Sequence, residues 1–346
     1  MVKIERGDLL SADTEAIVNT VNCVGVMGKG IALQFKKAYP DNFKAYEKAC
    51  KSGQVTTGKM FVQPTALVLG PRLIINFPTK KHWRSPSRIS YIRDGLDDLI
   101  RVIQEYNIKS IALPPLGCGN GGLNWLEIKQ LITQKLSALS DVDIIIFEPA
   151  GAPESSSQRI KTKAPKMTVF VAEMILLIKR YLFEEITLSR LEIQKLAYFQ
   201  KEAGDPHFVK LDFEGREYGP YSDKLSHAIH NMDGHYLENC GDNNSPFKQI
   251  RLNTAVIEPA ENMLADDKDS HIYLQKVFEL INGFEDPFGM ELLSTVHWTA
   301  HYCYDKATDV ESAIREVHAW NEHKKKYFKP EHIAIAWERL KKYGWI

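Results

Sequence analysis

The feature that most constrains this chain is an alternation in its first 150 residues. Short, continuously apolar runs rich in β-branched residues (Ala16–Asn22, Arg72–Pro78, Ser110–Leu116 and Asp143–Pro149) are separated by helix-length stretches at Gly30–Ala38, Ser90–Tyr106 and Asn124–Leu139. Runs of that kind read as strands buried on both faces. The second helical stretch carries Ile92, Leu96, Leu99, Ile100 and Ile103 on one stripe. Such alternation predicts an α/β fold of three layers, a mixed, mostly parallel sheet with helices on both faces.

The pattern does not continue to the end of the 346 residues, a length that exceeds one ordinary core and predicts two domains. Residues 151–166 (GAPESSSQRIKTKAPK) combine a serine run, two prolines and four basic residues with almost no apolar content, and read as a linker between a domain at 1–150 and a domain at 167–346. After it, Val169–Leu182, Leu191–Ala203, Ser270–Phe284, Gly289–Tyr302, Val310–Trp320 and Glu331–Tyr343 are amphipathic and helix-length, so the second domain is expected to be mainly α-helical.

Composition excludes several classes. No stretch approaches a membrane span and no signal-peptide core follows the N-terminus, so the expected location is the cytoplasm, without a membrane partner. The five cysteines are odd in number, scattered, and form no C-x-x-C pair, which predicts reduced thiols and no zinc site. The net charge of zero hides an asymmetry: residues 1–150 hold about 19 Lys and Arg against 14 Asp and Glu, whereas residues 167–346 hold about 21 against 29. A basic front half suits phosphates and an acidic back half suits a basic partner.

In open α/β sheets ligands sit beyond the carboxyl ends of the strands. Two loops there are glycine-rich and run into helices: Cys23–Ala32 (CVGVMGKGIA) and Gly117–Trp125 (GCGNGGLNW). Glycines let backbone N–H groups approach an anion, and a helix N-terminus adds partial positive charge, so the pair predicts a clamp for a diphosphate. The spacing matches neither the dinucleotide fingerprint nor a P-loop.

These segments, with Gly7–Leu10 (GDLL), Val26–Phe35 (VMGKGIALQF), Pro114–Leu123 (PPLGCGNGGL) and a last strand ending in Phe147, resemble a macrodomain across nearly all of residues 1–150. The details are similar to the branch of ADP-ribose glycohydrolases with a catalytic lysine, and the two-domain layout resembles the DarG-type antitoxins that remove ADP-ribose from DNA. The resemblance implies that Asp8 and Leu9 meet the adenine, with the Asp8 carboxylate accepting from its amino group, and that Phe147 stacks on the ring. It implies that Gly28, Lys29, Gly30 and Ile31, together with Gly117, Cys118, Gly119, Asn120 and Gly121, hold the diphosphate and the distal ribose. Asn22 would place the distal ribose hydroxyls. Read without the resemblance, Asp8 caps a turn, Asn22 ends a strand and Phe147 belongs to the core.

The loop after Arg72–Pro78 is Thr79–Arg84 (TKKHWR). The resemblance makes Lys80 the nucleophile, attacking the anomeric carbon of the distal ribose beside Thr79. A lysine attacks only when neutral, and crowding by Lys81 and Arg84 plus desolvation beside Trp83 is expected to lower its pKa. Lys81, His82, Trp83 and Arg84 are candidate contacts to a DNA substrate. The related human-type enzyme with a catalytic lysine carries an Asp two residues beyond its G-C-G, where this chain has Gly121, so either Lys80 works without it, as in the DNA-directed branch, or a different mechanism applies; His82 is the nearest candidate proton carrier.

In the back half, Leu188–Phe199 (LSRLEIQKLAYF) and Tyr218–Leu225 (YGPYSDKL) loosely resemble antitoxin-associated Panacea-type helical domains. His297 and His301 stand four apart, yet no third metal ligand is identifiable, and the acidic pairs at Glu184–Glu185, Asp266–Asp269 and Glu285–Asp286 read as surface. The expected function is an antitoxin. Its front half would remove ADP-ribose from single-stranded DNA bases, thymidine being the base the resemblance implies, and its back half would bind and inhibit the cognate ADP-ribosyltransferase toxin. No cofactor and no metal are expected. The alternatives are a non-catalytic ADP-ribose reader and a phosphatase acting on ADP-ribose 1″-phosphate.

Overall fold

The computed structural model describes residues 1–66, 70–149, 159–182, 188–240 and 246–346. The chain forms two compact units, Met1–Lys163 and Ala164–Ile346. The first half of the proposed linker, residues 151–158, and the Glu184–Glu185 pair lie outside the described residues. The described end of that segment is held by the first unit, where the Lys161 amide donates to the Lys37 carbonyl at 2.8 Å.

The first unit is built on six strands: β1 (Val2–Glu5), β2 (Ala16–Val21), β3 (Phe61–Pro64), β4 (Leu73–Pro78), β5 (Ser110–Leu113) and β6 (Asp143–Phe147). Their order in the sheet is β1-β6-β5-β2-β4-β3, parallel throughout except for the antiparallel edge strand β3. The connecting helices are α1 (Gly30–Ala38), α2 (Pro40–Lys51), α3 (Ile89–Glu105) and α4 (Trp125–Leu136). Alternation along β2 and β4 divides the core. Ala16, Val18, Leu73, Ile75 and Phe77 pack with Ile92, Leu96 and Leu99 of α3 and Ile128 and Ile132 of α4. Ile17 and Ile74 pack on the opposite face with Phe35 and Ala38 of α1. Helices therefore cover both faces, as the strand-helix alternation predicts.

Within this first unit, two strands and one helix among the described residues escaped the sequence reading. The edge strands β1 and β3 are short and half exposed, so neither shows the continuous apolar run of a buried strand. Helix α2 is polar, buries only Asn42, Tyr46 and Ala49, and is instead defined by Pro40 at its start and Lys48 and Lys51 at its end. The close packing of α3 on β4 depends on Gly95, where any side chain would overlap the ring of Phe77. That contact seats the end of β4 three residues before Lys80.

The second unit is mainly helical. Helices α5 (Val169–Tyr181), α6 (Arg190–Glu202), α7 (Asp223–Met232), α8 (Ile257–Leu264), α9 (Lys268–Ile281), α10 (Pro287–His301), α11 (Val310–Trp320), α12 (Glu322–Tyr327) and α13 (Pro330–Lys342) surround one large apolar cluster. Between them lie short strands β7 (Leu188–Ser189), β8 (Glu214–Arg216), β9 (Gly219–Tyr221), β10 (Leu237–Glu238) and β11 (Gln249–Leu252), forming a β8–β9 hairpin and a three-stranded β10-β11-β7 sheet. A capping box between Ser189 and Glu192 starts α6. The two motifs singled out in this half are joined: fully buried Lys195 of α6 donates to the Pro220 carbonyl in β9 at 2.6 Å, and Gly219 turns there with φ +87°. Lys324 donates to Glu291 at 2.7 Å in the same core, so both buried ammonium groups have acceptors.

Candidate functional site

Because β1, β6, β5, β2 and β4 are parallel, the loops at their carboxyl ends share one edge of the sheet. The loops after β2, β4 and β5 are bonded directly to one another. The Cys23 amide donates to the Lys81 carbonyl at 3.2 Å, Thr79 N–H to Val21 at 2.9 Å, and Ser87 N–H to Gly121 at 3.0 Å. The Asn120 amide nitrogen lies beside Gly30, close enough that a methyl at position 30 would approach it to 3.2 Å. The two glycine-rich loops thus meet, with Lys80 behind them.

The first loop is organised by Asn22, which is buried and makes five polar contacts. Its Oδ1 accepts from the Val24 and Val26 amides at 2.9 and 3.3 Å, and its Nδ2 donates to the Val26 carbonyl at 2.6 Å. The Tyr46 hydroxyl of α2 donates to the Asn22 carbonyl at 2.7 Å and lies 3.1 Å from Oδ1. Asn22 therefore builds the loop, a role the sequence reading placed second to ribose contact. Gly28 and Lys29 are exposed, and α1 begins at Gly30 with φ +59° and without a side-chain cap. A helix N-terminus, with Ile31 in its first turn, is suited to an anion.

The second loop turns at Gly117, φ +72°, and closes on itself through Leu123 N–H to the Gly117 carbonyl at 3.1 Å. Gly119 has open space where a side chain would stand. Burial pushes the Cys118 thiol up to about 11, so it stays protonated near neutral pH. Gly121 is different: a methyl there would overlap the Gly117 carbonyl oxygen and the Ser87 Oγ. This backbone has no room for a carboxylate side chain at position 121.

Lys80 is buried, with 9% of its surface exposed, and its Nζ donates to the Asn120 carbonyl at 2.6 Å. Burial pushes its pKa below the usual 10.5. A hydrogen bond to a charged group contributes roughly 1.5–3 kcal/mol, whereas removing an ammonium from water costs several, so one carbonyl does not offset burial. The cause differs in part from the sequence expectation. Lys81 and Arg84 do not contribute to the shift, because both point to solvent. Trp83 is itself 46% exposed, stacked on His82 with ring centroids 5.3 Å apart and covered by the Arg84 guanidinium at 4.5 Å. His82 is exposed, and its Nδ1 accepts from the Arg84 amide at 3.2 Å.

At the far end of the edge, Asp8 starts a 3-10 turn at Leu9–Ser11, its carboxylate accepting from Leu10 N–H at 3.0 Å and from the Ser11 hydroxyl at 2.8 Å. Leu9 and Phe147 are both buried in the cluster with Phe35 and Tyr39, and an edge of the Phe147 ring faces Gly7. Sequence reasoning missed Ser87 and Tyr46. Tyr46 sits on the unrecognised α2, and Ser87 is buried against Gly117 and Gly121 with its hydroxyl lacking a hydrogen-bond partner.

In the second unit His297 and His301 stack 4.4 Å apart and are used structurally: His297 Nδ1 pairs with the Tyr198 hydroxyl at 2.7 Å and His301 Nε2 with the Trp345 carbonyl at 2.8 Å. No helix among the described residues is long and apolar enough to cross a membrane.

The Macro domain family model matches residues 18–132. Over 345 residues, 99% of this chain and 94% of the relative, the chain is 46% identical to a DNA ADP-ribosyl glycohydrolase of Thermus aquaticus. It is 44% identical to the protein of the same name from Mycobacterium tuberculosis, covering 98% of this chain and 99% of that one. Among solved structures, the macrodomain of Mycobacterium tuberculosis DarG is 64% identical over 43% of this chain and 98% of its own, with a TM-score of 0.43. Thermosipho africanus DarTG in complex with ADP-ribose is 30% identical over 45% of this chain and 44% of its own, with a TM-score of 0.41.

Proposed function

As the chain belongs to the DNA ADP-ribosyl glycohydrolase family, we propose that it removes ADP-ribose from thymidine in single-stranded DNA through Lys80. The observation that carries the mechanism is a buried lysine at the junction of two glycine-rich loops, its pKa lowered and its Nζ held by the Asn120 carbonyl. Asp8, Leu9 and Phe147 receive the adenine end. The amides of Gly28–Ile31 and Gly117–Gly121 receive the diphosphate and distal ribose, with Asn22 setting the loop beneath them.

Neutral Lys80 attacks the anomeric carbon. A nitrogen–carbon bond forms as the bond to the base breaks, and the base leaves with the electron pair and takes up a proton. Water then adds to the sugar adduct, returning free lysine and ADP-ribose. No carboxylate stands at position 121, so the proton reaches the base through solvent or His82 on the exposed side of the loop.

The second unit, we infer, binds and inhibits the cognate ADP-ribosyltransferase. Support comes from a Thermosipho africanus relative that is a fusion of a DNA ADP-ribosyl transferase with a DNA ADP-ribosyl glycohydrolase, 32% identical over 163 residues, and from the acidic balance of residues 167–346. Incubation of the protein and its Lys80→Ala variant with ADP-ribosylated single-stranded DNA and with ADP-ribose 1″-phosphate tests the first half. Release from DNA that is lost in Lys80→Ala is expected; release that survives removes the lysine mechanism, and turnover of the phosphate alone favours the phosphatase. Failure of the full chain to bind the transferase removes the inhibitor reading.

A further inference from the structure

Within the second unit, Glu173 of α5 is fully buried, and no hydrogen bond of normal geometry reaches either of its carboxylate oxygens, although the Ser270 hydroxyl of α9 lies beside them. Its neighbours come from the turn after α6: Asp205, also buried, and His207, whose side chain reaches the surface. His207 Nδ1 lies 3.4 Å from Glu173 Oε2 and 3.2 Å from Asp205 Oδ1, and one ligand atom from each of the three residues falls within 4.8 Å of the others. Two carboxylates this close in a dry interior need either a shared proton or a cation between them.

The spacing favours a cation. A charge-assisted N–H to carboxylate bond closes to about 2.7–2.9 Å, and both imidazole distances exceed that. Donors bound at about 2.1 Å around one ion are separated by roughly 3.0 Å in an octahedron and 3.4 Å in a tetrahedron. Two oxygens with one imidazole nitrogen suit a first-row divalent ion better than calcium or magnesium, which take oxygen alone. Asp205 is already oriented, its Oδ2 accepting from Gln200 at 2.7 Å and its Oδ1 from the His207 amide at 2.8 Å.

We propose that Glu173, Asp205 and His207 form a structural site for one divalent transition-metal ion, zinc or manganese, that staples α5 to the turn following α6. His207 opens the path from solvent, and the Asp267 carboxylate at the start of α9 adds charge beside the site.

The full-length protein, treated with chelator and dialysed, is titrated with zinc chloride and with manganese chloride near neutral pH. Calorimetry and elemental analysis count the bound ion, and thermal unfolding is followed with and without metal. One ion per chain and a raised unfolding temperature are expected, both lost in His207→Ala and in Glu173→Gln. His207 is at the surface, so its variant remains folded, which circular dichroism checks. Cysteines and other histidines also take zinc, so binding that persists in both variants overturns the site. A parent that binds neither ion overturns it as well, and a Glu173→Gln variant more stable than that parent would identify a shared proton in its place.

Discussion

Lys80 Nζ donates to the backbone carbonyl of Asn120 at 2.6 Å, joining the loop after β4 to the glycine-rich loop after β5. The contact fixes the amine between the two loops and does nothing to keep it charged beyond one hydrogen bond, so burial decides its protonation. Lys80→Ala is expected to lower single-turnover release of ADP-ribose from DNA by orders of magnitude while leaving affinity for free ADP-ribose within a few fold. Lys80→Arg keeps a donor to Asn120 and is equally inactive, because a guanidinium stays protonated. Isothermal titration and single-turnover assays separate the two effects.

The same burial sets a pH dependence. On the proposed mechanism the reactive form is the neutral amine, so the single-turnover rate is expected to rise with pH and level off above the folded pKa of Lys80. With that pKa below 10.5, the rise is complete at lower pH than for an exposed lysine. Stability follows the same sign, since between the lowered value and 10.5 the unfolded chain binds the extra proton and folding is favoured as pH rises. A pH–rate profile whose rising limb lies at or above 10.5 would contradict the burial argument.

Gly121 is where the site departs from its resemblance, and the structure supplies a steric reason. Gly121→Ala and Gly121→Asp place atoms against the Gly117 carbonyl and Ser87 Oγ. Overpacking of this kind costs about 1–3 kcal/mol. Both variants are expected to lose stability in denaturant titration and to bind ADP-ribose more weakly. Gly121→Asp gains no activity from its carboxylate, because the loop that must accommodate it is the loop that holds Lys80.

How much of this was legible beforehand depends on where each residue's signal lies. The buried strands β2, β4, β5 and β6 announce themselves by apolar runs, and α1 spans Gly30–Ala38 as read, stopping at Tyr39 just before Pro40. Lys80 could be placed because a strand precedes it. Its burial could not be read, since the groups that cover it come from loops 40 residues away. The sequence suggested that Lys81 and Arg84 crowd it, but adjacency along an exposed loop says nothing about which side chains turn inward. The Glu173, Asp205 and His207 cluster was invisible for the same reason: its members lie on different elements and share no spacing motif.

Lys81, His82, Trp83 and Arg84 all face solvent beside the buried Lys80. Trp83→Ala is expected to weaken DNA binding by about 1–3 kcal/mol through lost base stacking, without altering affinity for free ADP-ribose. Lys81→Gln and Arg84→Gln are expected each to reduce the salt slope of DNA binding by about one. Fluorescence anisotropy at several salt concentrations measures both. Equal losses for DNA and for free ADP-ribose would place these residues in the sugar site.

His297 tests the packing of the helical unit. It is buried in α10, stacked on His301, with Nδ1 accepting from the Tyr198 hydroxyl, and burial lowers its pKa from 6.5 to about 3. A histidine held neutral in the folded state must charge on unfolding in acid. Between pH 6.5 and about 3 the unfolded chain binds the extra proton, so its contribution to stability is full above 6.5 and declines as pH falls. Glu173 acts with the opposite sign, because a carboxyl raised to about 8 favours the folded state at lower pH. The parent's own profile therefore mixes the two, and the difference from His297→Gln isolates the histidine. The variant is expected to be less stable near neutral pH, having lost the Tyr198 contact, and to lose less stability than the parent between pH 7 and 5 in urea titrations. Parallel pH profiles for the two proteins would show that His297 is already charged in the fold and that the Tyr198 hydroxyl accepts from it.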